Sequence, residues 1–114
     1  MKKIYTLLSL MIISFASSAQ CSELFFSEYS EGSSSNKYME IYNPTNAAID
    51  LSAYSIHQIG NGGSYTNDFQ LYGTLASNEV FVFAADQADA SILAVADTAL
   101  SYPSVAHFNG DDCM

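Results

Sequence analysis

Hydrophobic and polar positions alternate along much of this chain with a period of two, the pattern of strands with one face turned inward. The clearest stretch is LFFSEYSEGSSSNKYMEIYNPT at 24–45. Residues 24–29 read as a first strand, whose Phe25, Phe26 and Tyr29 put rings on both faces, as a strand between two layers does. Residues 30–36 are polar and too long for a two-residue hairpin turn. Residues 37–43 resume the pattern, with Met39 and Ile41 on one face and Tyr38, Glu40 and Tyr42 on the other. Pro44 stops the strand because it brings no N–H to a ladder.

A short third strand follows, with Ile49 and Leu51 flanking Asp50. Residues 53–59 form the next, with Tyr54 and Ile56 on one face and Ser55 and His57 opposite. Gly60-Asn61-Gly62-Gly63 signals a turn, since these residues tolerate positive φ. In residues 64–71, Tyr65, Phe69 and Leu71 alternate with Ser64, Thr66, Asp68 and Gln70, and Asn67 interrupts the apolar face. Gly73 and Ser77-Asn78 bracket a turn region. EVFVFA at 79–84 is the most hydrophobic run and predicts a central, buried strand. Ile92, Val95 and Ala96 then fall at helical spacing, and Asp89 is placed to cap a helix of one or two turns. The alternative is a loop that packs Ile92 and Leu93 on the strands. Pro103 ends this excursion and residues 105–108 return to strand. Phe108-Asn109-Gly110-Asp111 reads as a type I′ hairpin turn, which needs a returning strand, yet only Asp112-Cys113-Met114 follows. Either the turn reading is wrong or the last strand or strands are lacking; the expectation is an all-β sandwich with one short helix that lacks them.

The start of the chain adds a compartment. Lys2-Lys3 precedes an apolar run at 4–15 that is too short to span a bilayer, and Ser17-Ser18-Ala19 follows. This is the pattern of a secretory signal peptide over 1–19, cleaved between Ala19 and Gln20, with one domain at 20–114. Cys21 invites a lipoprotein reading, but Gln20 stands where that signal carries a small residue. An uncleaved anchor is the other alternative. The expected product is secreted, extracellular or periplasmic, and free of the membrane. Charge sharpens the picture: the whole chain has three Lys, no Arg and twelve acids, and past residue 20 only Lys37 remains as a cation. Such a surface repels nucleic acid and anionic membranes. It keeps a secreted domain soluble, or it suits a hard cation such as Ca²⁺.

Catalytic patterns are absent. Cys21 and Cys113 lie far apart with no C-x-x-C and no His pair, so zinc is not indicated. In an exported protein they can form one disulfide, worth about 4–5 kcal/mol for so long a loop in the chain-entropy account. Alternatively Cys113 is incidental. No serine sits in G-x-S-x-G, and a catalytic role for His57 or His107 needs an oriented partner within hydrogen-bond reach, against a plain surface or packed histidine. Glu28 and Glu40 can face one another across the first two strands, but a glycosidase needs a sugar cleft around its paired acids. The chain is therefore read as no enzyme by itself. Asn109, Asp111 and Asp112 place oxygens together in a turn, as calcium requires, although not at EF-hand spacing; the alternative is Asp side chains bonding turn backbone. Asn36 and Asn43 read as caps of loop backbone. Tyr29, Tyr38, Tyr42, Tyr54, Tyr65, Tyr72 and Tyr102 are numerous for so small a chain. Glu28, Tyr38, Glu40 and Tyr42 make the candidate binding face, for a protein or a cell-surface component.

Five segments carry a resemblance: FFSEYSEGSSSNKYMEIYNPT at 25–45, IDLSAYSI at 49–56, GTLASNEVFVFAA at 73–85, ILAVAD at 92–97 and FNGDD at 108–112. In this order they resemble the lamin-tail domain of secreted bacterial proteins, over nearly all of 20–114. The resemblance implies an immunoglobulin-like β-sandwich and a non-catalytic accessory or interaction module, of a kind that accompanies extracellular nucleases, other hydrolases or cell-surface proteins. The family normally continues after FNGDD with Ala-Val-Ala-Leu-like residues and a further strand, where this chain has Cys113-Met114. The combined expectation is a secreted, non-catalytic module for protein–protein or surface attachment. The alternative is the N-terminal fragment of a larger secreted hydrolase, such as an extracellular nuclease.

Overall fold

The computed structural model describes residues 21–114, so the expected signal peptide and its Ala19-Gln20 cleavage site lie outside the described residues. No helix among the described residues is long and apolar enough to cross a membrane. The chain runs through β1 (Phe25–Glu31), β2 (Lys37–Tyr42), β3 (Ile49–Asp50), β4 (Ser55–Ile59), β5 (Tyr65–Gln70), β6 (Thr74–Leu75), β7 (Val80–Ala85), the short helix α1 (Ala90–Leu93) and β8 (Thr98–Leu100). These strands make one four-stranded sheet in the order β1-β2-β7-β8 and two small sheets, β3-β6 and β4-β5. Among the described residues the fold is mainly β, with several small sheets and no closed barrel. All pairs are antiparallel except β7 with β8, which is parallel and therefore needs the crossover that carries α1.

One face of the four-stranded sheet supplies Met39, Ile41, Phe81, Phe83 and Ala85 to the main core, which the rest of the chain closes with Leu51, Ile56, Leu71, Leu75 and Val105 among others. Val82 and Ala84 alternate to the other face and are buried there as well. Burial on both faces explains why β7 shows an unbroken hydrophobic run. Asn43, at the end of β2, is fully buried and binds the loops around it. Its Nδ2 donates to the carbonyls of Ala47 (2.9 Å), Leu75 (3.0 Å) and Ala76 (3.1 Å), and its Oδ1 accepts from Thr45 N (3.0 Å) and Oγ1 (2.7 Å). It is the loop cap the sequence indicated.

Several expectations are corrected. β1 is not held between two layers: it is the edge of its sheet, with Phe25 41 %, Phe26 44 % and Tyr29 50 % exposed. Ser27 is an extra residue in its ladder. Phe26 pairs with Ile41, but the next pair is Glu28 with Glu40, so Phe26 and Tyr29 share a face although three residues apart. Leu51 leaves β3 to open a 3₁₀ turn, in which Asp50 Oδ1 accepts Ser52 N–H at 2.9 Å. Asp89 holds the N-cap position of α1 without capping it. Its carboxylate accepts Asn36 Nδ2 at 2.7 Å, and Asn36 Oδ1 accepts Asp89 N–H at 2.8 Å, which ties the Ser-rich loop to the crossover. The helix ends at Leu93, so Val95 shares no helical face with Ile92 and is 68 % exposed. Strand appears instead at β8, and at β6 inside an expected turn region.

Residues 105–108 form turns rather than a strand, and Val105, Ala106 and Phe108 are buried as plugs of the core. The Asn109-Gly110 hairpin is not formed, and neither residue is among those at positive φ. The turn is centred one residue later: Asp112 N–H closes it onto Asn109 C=O at 2.8 Å. Cys113 then forms an antiparallel bridge with Ile59 of β4, not with residues 105–108.

Candidate functional site

Residues opposite one another in a ladder point to the same side of a sheet. Phe25 with Tyr42, Glu28 with Glu40 and Ser30 with Tyr38 therefore share the face of β1 and β2 turned away from the core. Without the bulge, Ser27 would follow Phe26 into the place opposite Glu40. With it, two carboxylate residues stand opposite, and Ser27 Oγ donates to Glu40 Oε1 at 2.7 Å. Tyr38 OH donates to Glu28 Oε1 at 2.6 Å. That hydrogen bond, with burial second, holds the Tyr38 phenol above its ordinary pKa. Tyr42 OH donates to Asn78 Oδ1 at 2.9 Å, and the Phe25 ring meets Tyr42 edge-on at 5.6 Å between centroids.

Like charges directly opposite in a sheet repel, and this pair has no cation of the described chain to relieve it. Lys37, the only Lys or Arg among the described residues, lies on the other face of β2. There its Nζ pairs with Glu31 Oε1 at 3.4 Å, donates to the Phe108 carbonyl and stands 5.6 Å from the Phe108 ring centroid. The structure places Glu28, Tyr38, Glu40 and Tyr42 on one face. It adds Phe25, Ser27 and Asn78, which sequence reasoning missed. Ser27 reaches Glu40 from the bulge, and Asn78 reaches Tyr42 from a turn where its own φ is +60°.

The expected calcium ligands are arranged differently. Asp112 Oδ1 accepts Asn61 N–H (2.9 Å), while Oδ2 accepts Asn109 N–H (2.9 Å) and Gln58 Nε2 (2.8 Å). Burial pushes this carboxyl up, but the bonds from Asn61, Asn109 and Gln58, with the Lys37 charge, outweigh it and hold Asp112 below the usual carboxylate range. The described geometry fits the other reading, Asp bonding turn backbone: Asn109 offers Asp112 its backbone N–H, and Asp111 is exposed. No three His, Cys, Asp or Glu side chains converge on a metal position among the described residues. The cluster anchors a turn. Gln58 is buried, and its Oε1 accepts Asn67 Nδ2 at 2.7 Å, which accounts for the polar exception on the apolar face of β5. The expected disulfide is also corrected: Cys21 and Cys113 are both free and exposed. Each histidine has a local serine hydroxyl at 2.9 Å, Ser55 for His57 and Ser104 for His107.

A groove of about 170 Å³ opens between β1 and β4, lined mainly by Leu24, Phe26, Ile41, Tyr54, Ile56 and Leu71. Tyr54 OH donates from it to Glu23 Oε2 at 2.8 Å.

A β-rich module with a partly exposed aromatic and carboxylate face is the class these features define. The chain belongs to the Lamin Tail Domain family, whose model matches residues 17–113. Compared with curated proteins and with solved structures, it has no significant match.

Proposed function

We propose that this chain is a secreted, non-catalytic module with an immunoglobulin-like β-sandwich arrangement, which attaches to a basic site on a protein or cell-surface component through the outward face of β1 and β2. The sandwich reading is supported by the four-stranded sheet and the smaller sheets contributing to one core. The observation that carries the binding reading is the Glu28–Glu40 pair, opposite in register and framed by Phe25, Tyr38 and Tyr42. A Lys or Arg brought by a partner relieves the repulsion between the two acids, and Arg also stacks on phenyl and phenol rings. Because Tyr38 and Tyr42 are held by Glu28 and Asn78, little side-chain freedom is lost when a partner docks. The support for a non-catalytic role is that both acids are engaged by neighbouring hydroxyls on an open sheet surface.

The test is titration of the full chain with a fluorescent arginine-rich peptide at low and moderate salt. The Glu28→Gln, Glu40→Gln double variant is expected to bind about tenfold more weakly, in line with the loss of a close charge pair at an interface. A control with Asp68→Asn and Glu79→Gln, which removes the same charge elsewhere, is expected to keep the affinity. Equal weakening in both variants would reduce the face to non-specific acidity and end the proposal.

A further inference from the structure

Two asparagines of this chain precede a glycine, Asn61-Gly62 and Asn109-Gly110, and both are exposed. They converge on one carboxylate. Asp112 accepts the Asn61 N–H on Oδ1 and the Asn109 N–H on Oδ2, each at 2.9 Å. Its Oδ2 also accepts Gln58 Nε2 at 2.8 Å, so Asp112 joins the turn at 109–112 to β4 and to the glycine-rich turn that follows β4. Beside this joint Ile59 N–H donates to Cys113 C=O at 2.7 Å, and Cys113 N–H donates to Ile59 C=O at 2.9 Å.

An asparagine before a glycine carries a latent reaction, because no Cβ crowds the glycine nitrogen. That nitrogen attacks the asparagine Cγ and a new C–N bond forms. The side-chain nitrogen leaves as ammonia, taking the proton of the glycine N–H. Water then opens the cyclic imide at either carbonyl, which gives an aspartyl residue or an isoaspartyl residue whose backbone runs through Cβ and Cγ. The step needs freedom of the asparagine ψ and loss of the glycine proton. Asn109 is poor in both. Its N–H is held by Asp112 Oδ2, its C=O accepts Asp112 N–H at 2.8 Å, and Gly110 N–H donates to the Glu31 carboxylate, whose charge keeps the proton in place. Asn61 differs. It breaks the 3₁₀ turn at 60–62, at φ +53° and ψ +36°, a left-handed conformation in which a residue other than glycine is less stable. Gly60, Gly62 and Gly63 flank it, and a Cβ on Gly62 would meet nothing within 4 Å, whereas one on Gly110 would lie 3.7 Å from Glu31 Oε2.

We infer that Asn61 is a self-modification site, which deamidates in the folded chain while Asn109 is spared, and that its isoaspartyl product loosens the joint at Asp112. The isoaspartyl link adds a carbon to the ring that Gly63 N–H closes onto Gly60 C=O at 2.9 Å. The new carboxylate stands on the Cα next to the N–H that Asp112 holds, so two negative charges meet there. Lys37, the only Lys or Arg among the described residues, already serves Asp112 and Glu31. The Asn61 bond to Asp112 weakens, and with it the hold of β4 on the turn at 109–112. Water is the only reactant taken up and ammonia the only product released, so the change accumulates with the age of the molecule. It does not involve the outward face of β1 and β2, and it stands or falls separately from the attachment reading.

The experiment is incubation of the full chain at mildly alkaline pH, with peptide mapping by mass spectrometry to locate each conversion and enzymatic methylation of isoaspartyl groups to identify the linkage. In the folded chain Asn61 is expected to convert about tenfold faster than Asn109, the ratio that a charge-assisted hydrogen bond on Gly110 sets. In urea the two rates are expected to converge. Glu31→Gln is expected to speed conversion of Asn109 and to leave Asn61 as it was. Amide exchange of the aged chain is expected to be faster at Ile59 and Cys113 and unchanged in β2 and β7, whereas Asn61→Gln aged in the same way is expected to show no change at Ile59 or Cys113. Equal rates at the two asparagines in the folded chain, or no conversion of Asn61, would overturn the inference. Conversion of Asn61 with exchange at Ile59 and Cys113 unaltered would overturn the loosening of the joint.

Discussion

Asn43 sits at zero exposure and uses both ends of its amide, joining the end of β2 to the loop after Pro44 and to the carbonyls of Leu75 and Ala76. Asn43→Ala leaves three carbonyls and the Thr45 donors without this partner. Leaving buried polar groups unsatisfied costs about 2–4 kcal/mol, and urea denaturation is expected to show a lower midpoint with little change in slope. Asn43→Asp is similar in shape but turns a carboxylate toward three carbonyls, so it is expected to be destabilised at neutral pH and partly recovered in acid. Asp112 behaves in the opposite sense. Its folded carboxyl titrates below the ordinary range, held there by N–H donors against burial. The folded state therefore binds protons less readily than the unfolded chain, whose Asp titrates near about 3.9. The resulting stability is present above that pH and is lost as pH falls toward the lower folded value. Denaturation across an acidic pH series is expected to show this slope in the native chain and a flatter one in Asp112→Asn. At this scale the sequence was partly legible. Asn43 beside Pro44 read correctly as a cap, and Asn67 stood out as polar on an apolar face. Its partner, the buried Gln58, was invisible because the two meet only across the β4–β5 ladder.

At the scale of elements, the strands that were legible are those whose own side chains dictate their faces. β2 alternates cleanly, and β7 is apolar throughout and buried on both sides from Phe81 to Ala85. The ones that were missed are short and exist through their partners: β6 has two residues paired with β3, and β8 has three paired with β7. Residues 105–108 show the converse, since their alternating pattern met no strand and became turns. β8 depends on Asp97, whose N–H donates to Val82 C=O at 2.8 Å and whose Oδ2 accepts Val82 N–H at 2.7 Å. The side chain thus starts the parallel ladder before any β8 residue pairs. Asp97→Ala is expected to cost about 1–2 kcal/mol, the range for a charge-assisted bond partly open to solvent, and to speed exchange of the Val82 amide while the β1–β2 amides are unaffected. Loss of protection throughout the sheet would show that the crossover is not a separate unit. The Ser27 bulge belongs to this scale as well, because one extra residue decides which acid faces Glu40.

For the whole molecule, the balance of charge has a direct consequence. With twelve acids and so few cations, self-repulsion opposes the compact state. Raising NaCl from about 10 mM to about 200 mM shortens the screening length from about 30 Å to below 8 Å. The melting temperature is expected to rise by about 2–4 °C, and a melting curve unmoved by salt would mean that the charges are too far apart to matter. Composition and alternation alone determined the acidic character, the mainly β class, the inward faces of β2 and β4 and the central place of β7. These are properties of single segments, since an apolar side chain must leave water whatever it packs against. Only the tertiary structure decided that β1 is an edge, that Glu28 rather than Ser27 stands opposite Glu40, that Asp112 receives N–H donors, and that Cys113 bridges Ile59 beside the groove. Each of these depends on register between segments far apart in the chain. A one-residue shift in pairing changes the outcome while leaving the sequence pattern the same.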